Sequence, residues 1–252
     1  MAQRVLVTAG ASGIGREIVR AFAAGGAEVF VCDIDEAALD ALARELPGIA
    51  TTRCDVSKRA EVERMVPAAL QSLGGLDVLV NNAGIAGPTV PVEEVPPEEW
   101  DRVVQVNLTA AFDVTRLAIP ALKQSPAGVV IVMSSAAGRF GYPNRVAYAA
   151  TKWGLIGFTK TLAMELGSFG IRANAILPGT VDGDRIRRVF EGRAKLSGRS
   201  VDEGRDASMQ NQSIRALVDP RDIAALAVFL ASDAGKSISG QALGIDNDIQ
   251  RL

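Results

Sequence analysis

An α/β fold on a doubly wound parallel sheet is predicted from three observations. Short β-branched runs alternate with longer amphipathic stretches along the chain. Several of those runs, VVIVM among them, are apolar at consecutive positions, and no low-complexity linker interrupts the series. Strand–helix alternation requires crossover connections and therefore parallel strands. Consecutive apolar positions suit strands covered by helices on both faces. The 252 residues are accordingly read as a single domain, 1–252, long enough to bury most of the surface of the unfolded chain.

Seven strands are expected, in RVLVTA (4–9), GAEVFVCD (26–33), GIATTRCD (48–55), LDVLVNNAG (76–84), GVVIVMSS (128–135), IRANAILPG (171–179) and QALGIDND (241–248). Between them, helical periodicity covers 13–25, 35–46, 58–73, 97–124, 146–169 and 219–231. Asp35 and Asp219 supply N-cap oxygens, with Pro220 in the first turn of the last helix. Glu98 and Glu99, after Pro96-Pro97, face the positive end of the long fourth helix. The stretch 179–218, rich in Gly, Arg and Ser, is the one irregular segment and is read as a substrate loop or lid.

Composition narrows the chemistry. Hydrophobic residues at 48% and charged residues at 22% describe an ordinary globular chain, and a net charge of −2 lacks the basic excess that nucleic acid or anionic membrane requires. No apolar run reaches the length needed to span a bilayer, and no secretory leader pattern opens the chain, so a cytoplasmic location is expected. Cys32 and Cys54 both fall in strands and are read as reduced, buried thiols. The absence of histidine rules out His-based triads and His-ligated zinc, which leaves Tyr, Lys, Ser, Cys and carboxylates for proton transfer. No metal is called for.

The first strand runs into Gly10-Ala11-Ser12-Gly13-Ile14-Gly15 and then a helix. In that setting, the entry of a Rossmann fold, glycines let phosphates approach backbone N–H groups at a helix N-terminus. Eighteen residues beyond Gly15 the second strand ends in Asp33, whose carboxylate suits the hydroxyls of an adenosine ribose and would repel a 2′-phosphate. NAD is therefore expected over NADP. Capping of the next helix is the alternative role for Asp33, although Asp35 is the better placed cap.

Further along, Ser135 leads into a loop, and Tyr148 and Lys152 stand at i and i+4 on a helix. On one helix face an ammonium favours the phenolate and brings a phenol of pKa ~10 towards working pH. Taken alone the pair could equally be a buried aromatic and a snorkelling surface lysine.

With these residues in place the chain resembles the short-chain dehydrogenase/reductase family over nearly its whole length. Thr8 to Gly15 resembles the family's TGxxxGIG turn, Asn81 to Gly84 its NNAG, Asn107 its helix asparagine, and Ser135, Tyr148 and Lys152 its Ser and YxxxK. The resemblance implies that Tyr148 is the acid or base and that Lys152 also holds the nicotinamide ribose. It further implies that Ser135 binds the substrate oxygen and Asn107 positions a relay water. Asp55 and Val56 would meet the adenine, Asn81, Ala83 and Gly84 the ribose side, and Pro178, Gly179 and Val181 the carboxamide. A homotetramer built on the long fourth and fifth helices is also implied. Asp55 and Pro178-Gly179 could instead simply turn the chain. Four residues depart from the pattern: Ala9 replaces the first glycine, Arg139 a frequent apolar residue, Gly183 a frequent threonine, and Asn247 a common glycine.

Six basic residues between Arg185 and Arg199 face one acid, Glu191, so an anionic substrate is one reading of that segment and a solvated helix face the other. Arg139, Arg145 and Arg185 are the candidate substrate contacts. Three functions stay open: an NAD-dependent dehydrogenase of a secondary alcohol (a sugar, sugar acid or cyclic alcohol), a carbonyl reductase resembling the 3-oxoacyl-thioester reductases, and a non-enzymatic NAD sensor or scaffold. The small-molecule alcohol or ketone would be the only partner besides the cofactor and other copies of the chain.

Overall fold

The computed structural model describes residues 2–198 and 200–252, with the side chains of Arg185 and Leu196 outside the description. The strands are β1 (Arg4–Thr8), β2 (Glu28–Asp33), β3 (Ala50–Arg53), β4 (Val78–Asn81), β5 (Val129–Met133), β6 (Arg172–Pro178) and β7 (Ala242–Ile245). They form one seven-stranded sheet in the order β3-β2-β1-β4-β5-β6-β7, with every pairing parallel. Chain order reverses between β1 and β4, where the first crossover goes one way and the next returns on the other side. A crevice opens at the strand C-termini of such a switch point.

Strand alternation builds two cores. Val5 and Val7 of β1 point to one face, where they join Ile18, Val19 and Phe22 of α1 (Gly13–Ala24), Leu39 and Leu42 of α2 (Glu36–Glu45), and Ile223 and Leu230 of α9 (Pro220–Ala231). Leu6 points to the other face, towards Val62 and Val66 of α3 (Arg59–Leu73), Val114 of α5 (Ala110–Leu122), and Leu155 and Leu162 of α6 (Val146–Leu166). With both faces covered, all five residues of β5 are buried, which is why that strand reads as a continuous apolar run. Caps form where the sequence places them: Asp35 Oδ1 accepts from Ala38 N at 3.0 Å, and Asp219 Oδ1 from Arg221 N at 2.8 Å. Cys32 and Cys54 are buried free thiols. No helix among the described residues is long and apolar enough to cross a membrane.

Two expectations are corrected. The helix expected over 97–124 is two α-helices, α4 (Pro97–Val104) and α5, joined by one π-helical turn at Gln105–Thr109. That turn adds a residue to the local repeat and contains Asn107, which three hydrogen bonds hold to Ile85 and Thr151. The segment 179–218 is not irregular: it contains α7 (Asp184–Ser197) and α8 (Val201–Met209), the latter opened by a Ser200–Glu203 capping box. Val189, Phe190 and Ala194 of α7 are buried, so an apolar stripe lies beneath the arginine-rich composition.

Candidate active site

The glycine turn fills the mouth between β1 and α1. Ala9 takes φ 50°, the left-handed conformation for which a glycine is the usual choice, so the turn keeps its shape despite the substitution. Gly15 lets α1 cross its own entry, since a Cβ there would run into the Ala9 carbonyl and stand 2.5 Å from Asn82 Nδ2. Gly10 faces inward, where a Cβ would stand 2.7 Å from Val31 Cγ1; it serves the packing of α1 on the sheet and does not line the cleft. The turn is clamped from β4: Asn82 Nδ2 donates to the Thr8 and Ala9 carbonyls at 3.1 and 2.8 Å, and Thr8 Oγ1 accepts from Asn82 N and Ala83 N at 3.0 and 3.1 Å. Thr8 and Asn82 lie inside the glycine and NNAG motifs, and only the fold shows that they clamp one to the other.

A cleft of about 1310 Å³ runs along this edge, walled by Ser12, Gly13, Ile14 and Gly15, by Asp33, Asp55 and Val56, by Ala83 and Gly84, and by Val181. Asp33 is buried at the end of β2. One of its oxygens accepts from Ala11 N at 3.0 Å and the other from Asp35 N at 3.2 Å, while Asp35 caps the helix. Asp55 Oδ1 accepts from Ser57 N and Ser57 Oγ at 3.0 and 2.7 Å, so it both turns the chain and lines the cleft. Burial would raise its carboxyl pKa, but the Ser57 bonds together with the charges of Lys58 and Arg53 outweigh that and hold it below the usual value. Asn81 sits deeper, its Nδ2 donating to Thr115 Oγ1 at 2.8 Å beside a small hollow shared with Val56 and Ala83. No side chain caps α1 and no acid stands in its first turn, so its leading N–H groups face the cleft with their positive end unneutralised.

A second cleft, of about 550 Å³, holds Ser135, Tyr148, Arg145 and Gly179 and shares the wall residue Val181 with the first. Ser135 ends the β5 segment with its Oγ accepting from Ala137 N at 3.1 Å. Lys152 is 2% exposed, which removes the snorkelling alternative. Its Nζ donates to the Met133 carbonyl at 2.8 Å and lies 5.5 Å from the Tyr148 ring centroid. Ser134, to which no sequence motif points, fixes α6 to β5 through its Oγ bond to the Lys152 carbonyl at 2.8 Å.

Asn107 is 1% exposed. Its Oδ1 accepts from Ile85 N at 2.7 Å, and its Nδ2 donates to the Ile85 carbonyl at 3.0 Å and to Thr151 Oγ1 at 3.2 Å. A Cβ on Gly84 would stand 3.3 Å from Asn107 Oδ1 and 3.4 Å from Lys152 Nζ, so the glycine allows the strand-end segment to pass over both. Asn107, Tyr148 and Lys152 thus converge from the π-helical turn and α6, with Ser135 lining the same cleft as Tyr148.

The candidate substrate arginines separate. Arg145 is 3% exposed and lines the second cleft. Arg139 does not line it: its guanidinium pairs with Asp246 at 2.8 Å and lies over the Phe140 ring, tying the C-terminal segment to the loop after β5. The side chain of Arg185, and Arg199, lie outside the described residues. Arg188 is a wall residue of the first cleft that composition alone did not single out from its neighbours. Pro178 ends β6, and Gly179 N donates to the Ile245 carbonyl at 3.1 Å. Gly183 takes φ 143°, a backbone that a threonine would strain, so the departure there is tied to the entry into α7. Asn247, at φ 56°, likewise occupies the left-handed region.

Comparison with known proteins agrees with this geometry. The family model described as enoyl-(acyl carrier protein) reductase matches residues 8–247. The D-beta-hydroxybutyrate dehydrogenase of Cupriavidus necator is 39% identical over 96% of this chain and 95% of its own length, and the L-fucose dehydrogenase of Bos taurus is 37% identical over 91% and 83%. Among solved structures, a single-residue variant of the actinorhodin polyketide ketoreductase with NADPH superposes with a TM-score of 0.93 at 33% identity, covering 98% of this chain and 96% of that one.

Proposed function

The chain belongs to the short-chain dehydrogenase/reductase family of oxidoreductases acting on hydroxyl and keto groups, and from that premise we propose that it is an NAD-dependent dehydrogenase of a secondary alcohol. The observation that carries the proposal is the shared wall at Val181: a dinucleotide seated along the glycine turn would end against Ser135 and Tyr148. The residues fit such a group. The uncapped first turn of α1 offers N–H donors to a diphosphate, and Asp33, at the adenosine end, offers a carboxylate to ribose hydroxyls while disfavouring a 2′-phosphate.

When bound, the nicotinamide supplies the hydride chemistry. Tyr148 Oη takes the hydroxyl proton in oxidation and returns it in reduction, and the Lys152 ammonium one turn on favours the phenolate that does so. Ser135 Oγ donates to the substrate oxygen and fixes its distance from the phenol. Asn107 holds the segment after β4 against α6 and orders a water between bulk solvent and Lys152. The segment 179–218 closes over the substrate, the whole chain acts as one catalytic domain, and a cytoplasmic location suits its free thiols. The exposed Phe112, Trp153 and Met164 on α5 and α6 support a homotetramer through those helices, for which sizing chromatography is the test.

Hydroxy acids, sugars and cyclic alcohols are the substrates to try first, given the hydroxybutyrate and fucose dehydrogenases among the relatives. The ketoreductase carrying NADPH favours a second reading, a carbonyl reductase. A substrate panel followed through NADH and NADPH absorbance separates the two: oxidation with a kcat/KM for NAD at least about tenfold that for NADP is expected, and a clear NADP preference would overturn the role of Asp33.

A further inference from the structure

We propose that Arg145 is a second fixed positive charge on Tyr148, a positioning residue that acts with Lys152 to hold the phenol's pKa down. The inference rests on Tyr148 being the proton carrier. Arg145 is the N-cap residue of α6, three positions before Tyr148, and Lys152 lies one turn after it, so the start of one helix brings both charges to the Tyr148 ring. The guanidinium carbon lies 5.1 Å from the Tyr148 centroid and 5.2 Å from that of Tyr142, beside two rings that meet edge to face at 6.3 Å. Its Nη2 donates to the Ala86 carbonyl at 2.8 Å, which fixes the group in the cleft wall.

A cation over an aromatic face is attracted by the ring, and more strongly once the ring carries the phenolate charge. At 3% exposure that attraction is poorly screened by solvent. Arginine keeps its proton throughout the working range, so the charge does not itself titrate.

The other groups around the two side chains leave this field standing. Among the described residues that line the second cleft no side chain is acidic, the one negative group being the main-chain carboxylate of Leu252, and against it Arg193 of α7 adds a further cation 5.0 Å from the outer ring, Tyr142. On the far side of Arg145 a chamber holds Arg102, Arg188 and one acid, Glu99, which pairs with Arg102 at 3.5 Å. The position is not part of the YxxxK pair, and it supplies a second charge at the ring, 5.1 Å from the centroid against 5.5 Å for Lys152, present whether or not Lys152 is engaged with a cofactor.

The chain contains only two tyrosines, so the phenol can be read directly. In a Tyr142→Phe background the one phenolate absorbance to appear on raising the pH belongs to Tyr148, and its midpoint is expected below the ordinary ~10. Adding Arg145→Gln is expected to raise that midpoint by about one unit or more, whereas Arg145→Lys, which keeps a charge on a shorter stem, is expected to shift it by less than half as much. A midpoint unchanged by Arg145→Gln overturns the proposal. Arg145→Met serves as a second neutral variant, and if circular dichroism shows that neither neutral variant folds, the arginine is a packing element and the proposal fails. The titration needs no substrate, so a failed substrate panel would remove the dehydrogenase reading while leaving this result to be read on its own.

Discussion

The two edges of the sheet handle charge in opposite ways. At the N-terminal edge, Arg4 and Asp77 saturate each other. Asp77 Oδ2 accepts from Arg4 N and Nε, both at 2.9 Å, Oδ1 accepts from Arg4 Nη2 at 2.8 Å and from Ser125 Oγ at 2.7 Å, and Arg4 Nη1 donates to the Gly74 carbonyl at 2.8 Å. Arg172 similarly spans the carbonyls of Leu230 and Gly235 at 2.6 and 2.9 Å. At the C-terminal edge the helix opening is uncapped and Tyr148 stands among cations. One edge gathers charges that complete one another, and the other keeps groups whose best complement is a ligand. Substitutions at the first should therefore change stability without changing turnover, and those at the second the reverse.

The largest effect that would break this contrast lies at Tyr148. Tyr148→Phe is expected to lower kcat by about a thousandfold or more while keeping the affinity for NADH within a few-fold and unfolding stability within about 1 kcal/mol. Single-turnover kinetics and NADH fluorescence measure the first two, and urea unfolding the third. Retained turnover would remove the phenol from the chemistry.

The next effect lies at the opposite edge. Burial would raise the Asp77 carboxyl pKa, but the hydrogen bonds from Arg4 and Ser125 outweigh it and hold the group at about 2, below its ordinary 3.8. A depressed carboxyl contributes stability that is fully present above the ordinary value and is lost as pH falls through the folded one. Asp77→Asn should therefore cost about 1–2 kcal/mol at neutral pH, the gap to the unsubstituted protein narrowing between about pH 4 and pH 2, with kcat at pH 7 unchanged. Chemical denaturation across that range checks it, and a gap that stayed constant with pH would mean the carboxylate charge is not what stabilises this edge.

The difference between the edges also explains how much the sequence disclosed. The strand count, the glycine turn and the YxxxK spacing depend on residues close together along the chain, and local pattern carries them. The clamps of the N-terminal edge join residues 73 and 48 positions apart, Arg4 to Asp77 and Ser125 to Asp77, and no periodicity announces such pairs. Arg139 shows the same limit: its partner Asp246 is 107 residues away, so a residue next to the reacting stretch reads as a substrate contact until the tertiary fold occupies it. The π-helical turn at Asn107 escapes because one extra residue barely disturbs an apolar repeat, and α7 escapes because its buried Val189, Phe190 and Ala194 are outnumbered by charged neighbours.

Ala9 is the position where the contrast is finest, because it belongs to the ligand-facing edge yet its cost falls on the folded state. At φ 50° its Cβ crowds the carbonyl that follows it, a conformation worth about 1 kcal/mol or more in strain that glycine does not incur. Glycine would give back part of the gain by enlarging the conformational freedom of the unfolded chain. Ala9→Gly is therefore expected to raise stability by no more than about 0.5–1 kcal/mol, seen as a small upward shift in Tm. Since the Ala9 carbonyl and not its side chain receives Asn82 Nδ2, the clamp on the turn survives, and NAD affinity should stay within about twofold. A loss of affinity with no gain in stability would show that the methyl group at this position shapes the turn for its ligand.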